Sequence, residues 1–198
     1  VVIEVPITVA IPALPTRTGP GGLLEQAIDS VRRQTVTPAG GISVVIDTNR
    51  DGAAITRQRA LNAVETDFVS YLDDDDILHP HHLETHWALL RETGADVAYS
   101  WFDGNEPFGP QGELTHRGKV WNPEGPHHIT MTITVRTALA KQVGFTPHPD
   151  ASEAIGMAED WVHILGLNAL GARFVGTGIV TWTYRVHSGN TSGLATRW

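Results

Sequence analysis

The placement of apolar residues alternates between two periods along the first half of the chain. Ile7-Thr-Val-Ala-Ile11 is a short β-rich run that stops at Pro12. Leu23, Leu24, Ala27, Ile28 and Val31 then recur at helical spacing and predict an amphipathic helix. Ile42-Ser-Val-Val-Ile46 predicts a second strand, ending at Asp47-Thr-Asn. Ile55, Leu61 and Val64 fall on one side of a following helix, with Arg57 and Arg59 elsewhere on it. Phe68-Val-Ser-Tyr-Leu72 predicts a third strand that runs straight into the aspartates Asp73 to Asp76. A helix opening near Pro80 carries Leu83, Trp87 and Leu90, and Val97 to Trp101 predicts a fourth strand.

The second half is less regular. Asp103 to Pro126 is rich in Gly, Pro and polar residues and reads as irregular, and Gly144 to Gly156 reads as loop. Between them, Ile129 to Val135 alternates like a strand and Thr137 to Val143 suits a short helix. A firmer helix is expected from about Ala158 to Leu170, then strands near Arg173 to Val175 and Ile179 to Val186. Strands alternating with helices imply βαβ units and a mostly parallel sheet with helices on its faces. Ligands in such sheets bind beyond the carboxyl ends of the strands. Pro12, Asp47 and Asp73 to Asp76 each stand at such an end, so separate strands are expected to deliver polar groups to one edge.

Composition narrows the chemistry. A length of 198 residues with no internal repeat or low-complexity linker fits one continuous domain, 1–198. No apolar run is long enough for a membrane span, and no leader segment is visible at the N-terminus. The absence of cysteine excludes disulfides, thiolate zinc sites and cysteine nucleophiles, and agrees with the cytoplasmic setting expected here. A net charge of -8 weighs against nonspecific nucleic-acid binding. Adjacent carboxylates at a strand end repel one another unless a cation or protons relieve them. Hard oxygen ligands suit Mg2+ or Mn2+, which accept a few carboxylates plus phosphate oxygens.

The run Thr56-Arg-Gln-Arg-Ala-Leu-Asn-Ala, followed by Asp67-Phe-Val-Ser-Tyr-Leu-Asp-Asp-Asp-Asp, resembles family 2 glycosyltransferases. In those enzymes an arginine-bearing helix precedes a strand ending in Asp-x-Asp. Val143-Gly-Phe, Ala158-Glu-Asp-Trp and Tyr184-Arg-Val-His-Ser-Gly-Asn resemble the family's later landmarks in their usual order. The resemblance implies an α/β fold of the GT-A type, with a nucleotide-sugar-binding half over about 1–102 and an acceptor half over about 103–198. It implies metal-dependent transfer from a nucleotide diphosphate sugar, with inversion expected. Position by position, it gives Asp73 the ribose or sugar side of the donor, with Asp74 beside it, and Asp75 the metal. Pro12, Ala13, Arg17 and Asp47 fall at the strand ends facing the nucleotide, and Arg57 where the family has an arginine near the donor. His187 matches a late histidine that completes the metal shell in several such enzymes. Glu159-Asp160 matches the acidic pair that supplies the catalytic base, with Asp160 favoured, although helix dipoles lower the basicity of first-turn acids.

Departures bear on the base of the nucleotide. Pro12-Ala-Leu-Pro-Thr-Arg17 stands where the family has a Pro, a variable pair and Asn, and Asp47-Thr-Asn where two acids are common. Gly19-Pro-Gly-Gly22 lacks the Lys-Ser/Thr of a phosphate loop and is expected to lead flexibly into the first helix. His79, His81, His82 and His86 lack the spacing of a structural zinc site and are expected to cap or flank a surface helix. His127 and His128 are read as surface or acceptor-side residues. Of Trp101, Trp121 and Trp161, Trp161 is the one expected to contact substrate. Two rivals stay open: a sugar-nucleotidyltransferase, and a catalytically silent domain of the same fold used for binding or scaffolding. The acceptor is open among sugar, glycan, protein side chain and modified nucleic acid, and the acidic balance weighs against the last.

Overall fold

In the computed structural model, which describes residues 3–104, 119–127, 129–146 and 159–188, strands and helices alternate as the periodicity predicts. The chain order is β1 (Glu4–Val5), β2 (Ile7–Ala13), a 3-10 turn (Pro15–Arg17), α1 (Leu23–Arg32), β3 (Thr37–Pro38), β4 (Ile42–Ile46) and α2 (Ala53–Asn62). Then come β5 (Phe68–Tyr71), β6 (Ile77–Leu78), α3 (His82–Thr93), β7 (Val97–Gly104), β8 (Ile133–Arg136), α4 (Thr137–Val143), α5 (Glu159–Ala169) and β9 (Phe174–Tyr184). The main sheet has the order β4-β2-β5-β8-β7-β9-β6, and β1 pairs separately with β3. β4, β2, β5, β7 and β9 run one way, while β8 and β6 oppose them.

Period-two alternation sends side chains to opposite faces of this sheet, and each face has its own core. Ile7, Ile11, Leu72, Phe102 and Trp182 pack with Leu24 and Val31 of α1 and Leu83 and Leu90 of α3. Val69, Tyr71, Val97, Ile133 and Val135 pack with Leu61 of α2, Ala140 of α4 and Ile164 and Leu167 of α5. The helices on both faces leave the strand ends as the place where polar groups gather. α3 stops at Gly94, which adopts φ 65° and donates its N–H to Leu90 O at 2.9 Å. Gly176 on β9 has a different reason to be glycine. A Cβ there would stand 2.1 Å from the Tyr99 ring.

The α3 side of the sheet also carries a buried polar chain. Thr134 Oγ1 donates to Ser70 Oγ at 3.1 Å, and His86 bridges Thr134 Oγ1 and Ser100 Oγ, each at 2.9 Å. Ser100 Oγ meets Thr181 Oγ1 at 2.5 Å, and His82 Nδ1 meets Thr181 Oγ1 at 2.8 Å. The donor of the first bond assigns the rest. With the Thr134 proton given to Ser70, His86 Nδ1 carries hydrogen and its Nε2 accepts from Ser100. Thr181 then donates to Ser100 and accepts from His82 Nδ1–H, leaving His82 Nε2 as a buried lone pair without a partner among the described residues. The bonds therefore all run one way across β9, β7, β8 and β5.

Several expectations are corrected. β2 does not stop at Pro12 but continues through Ala13. Odd residues of β2 bond toward β4, as Val9 N to Gly41 O and Asp47 N to Ala13 O show, so Pro12 faces the β5 side. The β5 ladder ends at the Ala10–Tyr71 pair, and the missing N–H costs no bond there. The expected pair of late strands is one irregular strand, β9, with register shifts where it follows β7. The strand expected from Ile129 begins only at Ile133. His82 and His86 are not on a surface but fully buried, while Trp101 and Trp121 are core residues, as aromatic side chains commonly are. Most of Asp103 to Pro126, most of Gly144 to Gly156, and Ala158, His128, Gly189 and Asn190 lie outside the described residues.

Candidate functional site

Three parallel strands, β4, β2 and β5, finish side by side, and their ends carry Asp47, Ala13-Leu14 and Asp73 to Asp76. The aspartates form a tight turn in which Asp76 N–H donates to Asp73 O at 3.1 Å. A turn this tight sends consecutive side chains in different directions, so the four carboxylates meet different partners.

Asp73, half-exposed, accepts from Arg57 Nη2 at 2.6 Å. Asp74 points inward: Leu14 N–H donates to its Oδ2 at 2.8 Å and Arg17 Nη1 to its Oδ1 at 2.5 Å. The same Arg17 nitrogen lies 2.8 Å from Asp75 Oδ2. His187 Nε2 stands 3.2 Å from that Asp75 oxygen. Asp76 Oδ1 accepts from the backbone N–H of Arg185 at 3.0 Å. The Arg185 side chain donates to Asp75 O, to Gln26 Oε1 at 2.7 Å and to Leu23 O at 3.2 Å, tying the end of β9 to the turn and to the start of α1. Asp73, Asp75 and Asp76 can present ligand oxygens within 4.8 Å of one another.

Electrostatics follow from burial and this crowding. Burial pushes the Asp74 carboxyl up to about 6, against the pull of Arg17 and of the Leu14 N–H. Burial and the Asp73 charge raise Asp75, which Arg17 and His187 draw back. Asp76 rises well above the usual range through burial and repulsion from Asp73 and Asp75. Carboxylates buried and crowded in this way favour a further cation or protons. Arg57 is the counterpart: burial opposes its charge, but Asp73, Glu159 and Asp160 overcome that and hold its pKa above the ordinary value.

Arg57, from the buried face of α2, also bonds Glu159 Oε1, so it joins the aspartate turn to the first residue of α5. Asp160 does not bond Arg57; its Oδ1 accepts the N–H of Trp161 at 2.7 Å and it reaches the guanidinium only through charge. Trp161 is half-buried and stands edge-on to Trp121, 6.4 Å between centroids. Asp47 is buried, and its two oxygens accept the N–H groups of Asp51 and Gly52 at 2.8 and 2.9 Å, fastening the loop that starts α2. Pro12 and Ala13 lie buried in the last residues of β2.

Of the residues singled out from sequence, Arg17, Asp74, Asp75 and His187 form one contact group and Asp73, Arg57 and Glu159 a second, joined through the turn. Asp47 is not bonded to either. Sequence reasoning passed over Arg185 and Asp76. Arg185 lay inside the Tyr-Arg-Val-His stretch, and its signal was the requirement that some cation cover a run of acids.

A family model described as Glycosyl transferase family 2 matches residues 24–142. No curated protein matches the sequence. Among solved structures, the 1-349 portion of S. aureus TarS is 20% identical with a TM-score of 0.71, over 90% of this chain and 60% of that one, and the longer TarS structure is covered to 36%, so the chain spans only part of that protein's length. Glucosyl-3-phosphoglycerate synthase from Mycobacterium tuberculosis, solved with Mn2+, UDP-glucose and phosphoglyceric acid, is 17% identical with a TM-score of 0.58, covering 91% of this chain and 72% of that one. A mannosyltransferase from Pyrobaculum calidifontis, solved with GDP-Man and Mn2+, is 15% identical with a TM-score of 0.64, covering 92% of this chain and 57% of that one.

Proposed function

From the premise that the chain belongs to glycosyl transferase family 2 and has the GT-A fold, we propose that it transfers a sugar from a nucleotide diphosphate sugar to an acceptor hydroxyl, with a divalent metal and with inversion. The observation that carries the reading is the convergence of Asp73 to Asp76, Arg57, Glu159 and His187 at the carboxyl edge of the parallel strands.

The donor set fits a hard divalent cation, Mn2+ or Mg2+. Carboxylate oxygens of Asp73, Asp75 and Asp76 lie close together, and His187 adds an imidazole nitrogen beside Asp75. Asp75 and His187 would hold the ion, with Asp73 and Asp76 alongside. When bound, it would neutralise charge on the diphosphate leaving group.

The remaining work falls to the chain. Arg57, fixed by two carboxylates and permanently charged, orients Asp73 toward the sugar and sets the height of α5 over the donor. Arg17 adds positive charge at the same edge, and Pro12, Ala13, Asp47 and Asp74 shape the wall that receives the nucleotide. Asp160 takes the proton of the acceptor hydroxyl as that oxygen attacks the anomeric carbon, because Glu159 is already committed to Arg57. Trp161 offers an apolar ring beside the acceptor. Residues up to about Phe102 form the donor half and those beyond form the acceptor half. No described helix is long and apolar enough to cross a membrane; the cytoplasmic setting rests on the cysteine-free sequence alone.

The test is a thermal-shift panel of UDP-, GDP-, CDP- and dTDP-sugars, each with Mn2+ and with chelator. Stabilisation by one donor, lost on chelation, supports the reading and names the nucleotide, since a ligand bound to the native state raises its stability. Silence across the panel with metal present favours the scaffolding alternative. Asp160→Asn is expected to keep that shift and abolish transfer, and normal turnover by this variant would remove the base assignment.

A further inference from the structure

Directly behind the Arg57 pairs with Asp73 and Glu159 lies another group of buried polar atoms, and this one does not close on itself. Among the described residues, Tyr71 Oη, His163 Nε2 and Arg57 Nε have no hydrogen-bond partner, and the three residues are 2%, 1% and 5% exposed. Two elements bring them together. Tyr71 is the last residue of β5, two before Asp73, and lies close enough to Arg57 to feel its charge. His163 follows Glu159 by four residues on α5, one turn along the face that holds the other guanidinium nitrogen. The Tyr71 and His163 rings meet edge to face at 6.0 Å between centroids. Phe145 closes the apolar side, stacked on His163 at 4.1 Å and edge-on to Tyr71 at 5.5 Å.

The roles of the atoms are fixed. Gly144 O can only accept, so His163 Nδ1 carries the hydrogen in their 2.8 Å bond and Nε2 presents a lone pair. Burial, with the Arg57 charge adding to it, brings the His163 pKa down to about 4, so the ring is neutral at neutral pH. Arg57 Nε can only donate, and burial keeps the Tyr71 hydroxyl protonated. An anion here would face the His163 lone pair, and a cation would face the guanidinium. A neutral group that both accepts and donates satisfies all three, and the burial of all three keeps substrate away.

We propose that Tyr71 Oη, Arg57 Nε and His163 Nε2 bind one internal water, which accepts from Tyr71 and Arg57, donates to His163, and keeps the guanidinium turned toward Asp73 and Glu159. Buried waters with about three such bonds are integral parts of folded chains. Tyr71 and His163 are then positioning residues that act through Arg57. The water site is independent of the glycosyl-transfer reading; the positioning role rests on it.

The test is a crystal structure of the unaltered chain at a resolution that orders single waters, with Tyr71→Phe and His163→Asn beside it. His163→Asn keeps a donor for Gly144 and removes the Nε2 lone pair. The expected result is one water within hydrogen-bond distance of the three atoms, displaced in either folded variant. No density there, or direct pairing among the three atoms, overturns the site. For the positioning role, Tyr71→Phe is expected to lower turnover on the order of tenfold with donor KM unchanged. Unchanged turnover after loss of the water overturns that role. If the unaltered chain transfers no sugar at all, the donor reading fails while the density still decides the water.

Discussion

The aspartate turn at the strand ends and the hydroxyl–imidazole chain beneath α3 are both largely buried, yet they handle polarity in opposite ways. The chain from His82 to Ser70 passes a hydrogen along each of its bonds and leaves the His82 Nε2 lone pair over among the described residues. The turn from Asp73 to Asp76 crowds four carboxylates together, and burial first, with mutual repulsion adding to it, raises Asp74, Asp75 and Asp76. A polar group that satisfies itself serves the fold, and one crowded with like charges is prepared for a ligand. The two regions should therefore fail differently when altered.

The largest effect is expected at the turn. Asp75→Ala should reduce transfer by about a hundredfold or more and remove the Mn2+-dependent thermal shift, while metal-free melting changes little. A variant that keeps the metal-dependent shift would place the ligand elsewhere. The next effect belongs to the closed chain. His86→Leu leaves the Ser100 hydroxyl without its acceptor, so stability should fall by about 1–3 kcal/mol, read as a drop of about 2–4 °C in Tm per kcal/mol. Donor binding measured below the transition should persist. Loss of donor binding together with an unchanged Tm would merge the two regions into one.

Acid separates them further. Burial lowers His86 from 6.5 to about 3, so the unfolded chain binds its proton first on acidification. Its contribution is complete above the ordinary histidine pKa and drains away as pH falls toward about 3. Asp74 has the opposite sign. Its pKa is raised from 3.8 to about 6, so its contribution is present at low pH and lost as pH rises through about 6. In metal-free protein Asp74→Asn should therefore steepen the decline in stability between pH 7 and pH 5, followed by denaturant midpoints. An unchanged slope would remove the Asp74 contribution. The smallest effect serves as a reference: Glu84→Gln, at the exposed pair with His81, should leave Tm and transfer unchanged.

Legibility in sequence follows the same division. The period-two and helical patterns located β2, α1, β4, α2, β5, α3 and α4 closely, because the repeat of apolar positions survives even where, as in α2, the buried face also takes in Thr56 and Arg57. Motif order pointed to Asp73, Asp75, Arg57 and His187 because a dense run of acids has few other uses at a strand end. Four things escaped. Pro12 inside β2 depends on which neighbour its missing N–H faces, and that requires the sheet order. β9 reads as two strands because its register shifts against β7 break the alternation. His82 and His86 look like surface residues because their partners Thr134, Ser100 and Thr181 come from distant parts of the chain. The inward turn of Asp74 depends on the Leu14 N–H and Arg17, sixty and fifty-seven residues away.

The close approach of Gly176 to Tyr99 has a consequence in heredity. Any side chain at position 176 would occupy space that the Tyr99 ring already fills, so position 176 is tied to glycine for as long as position 99 keeps its ring. The dependence runs one way: a smaller residue at 99 can be inherited beside Gly176, but a larger residue at 176 has to follow the loss of the ring.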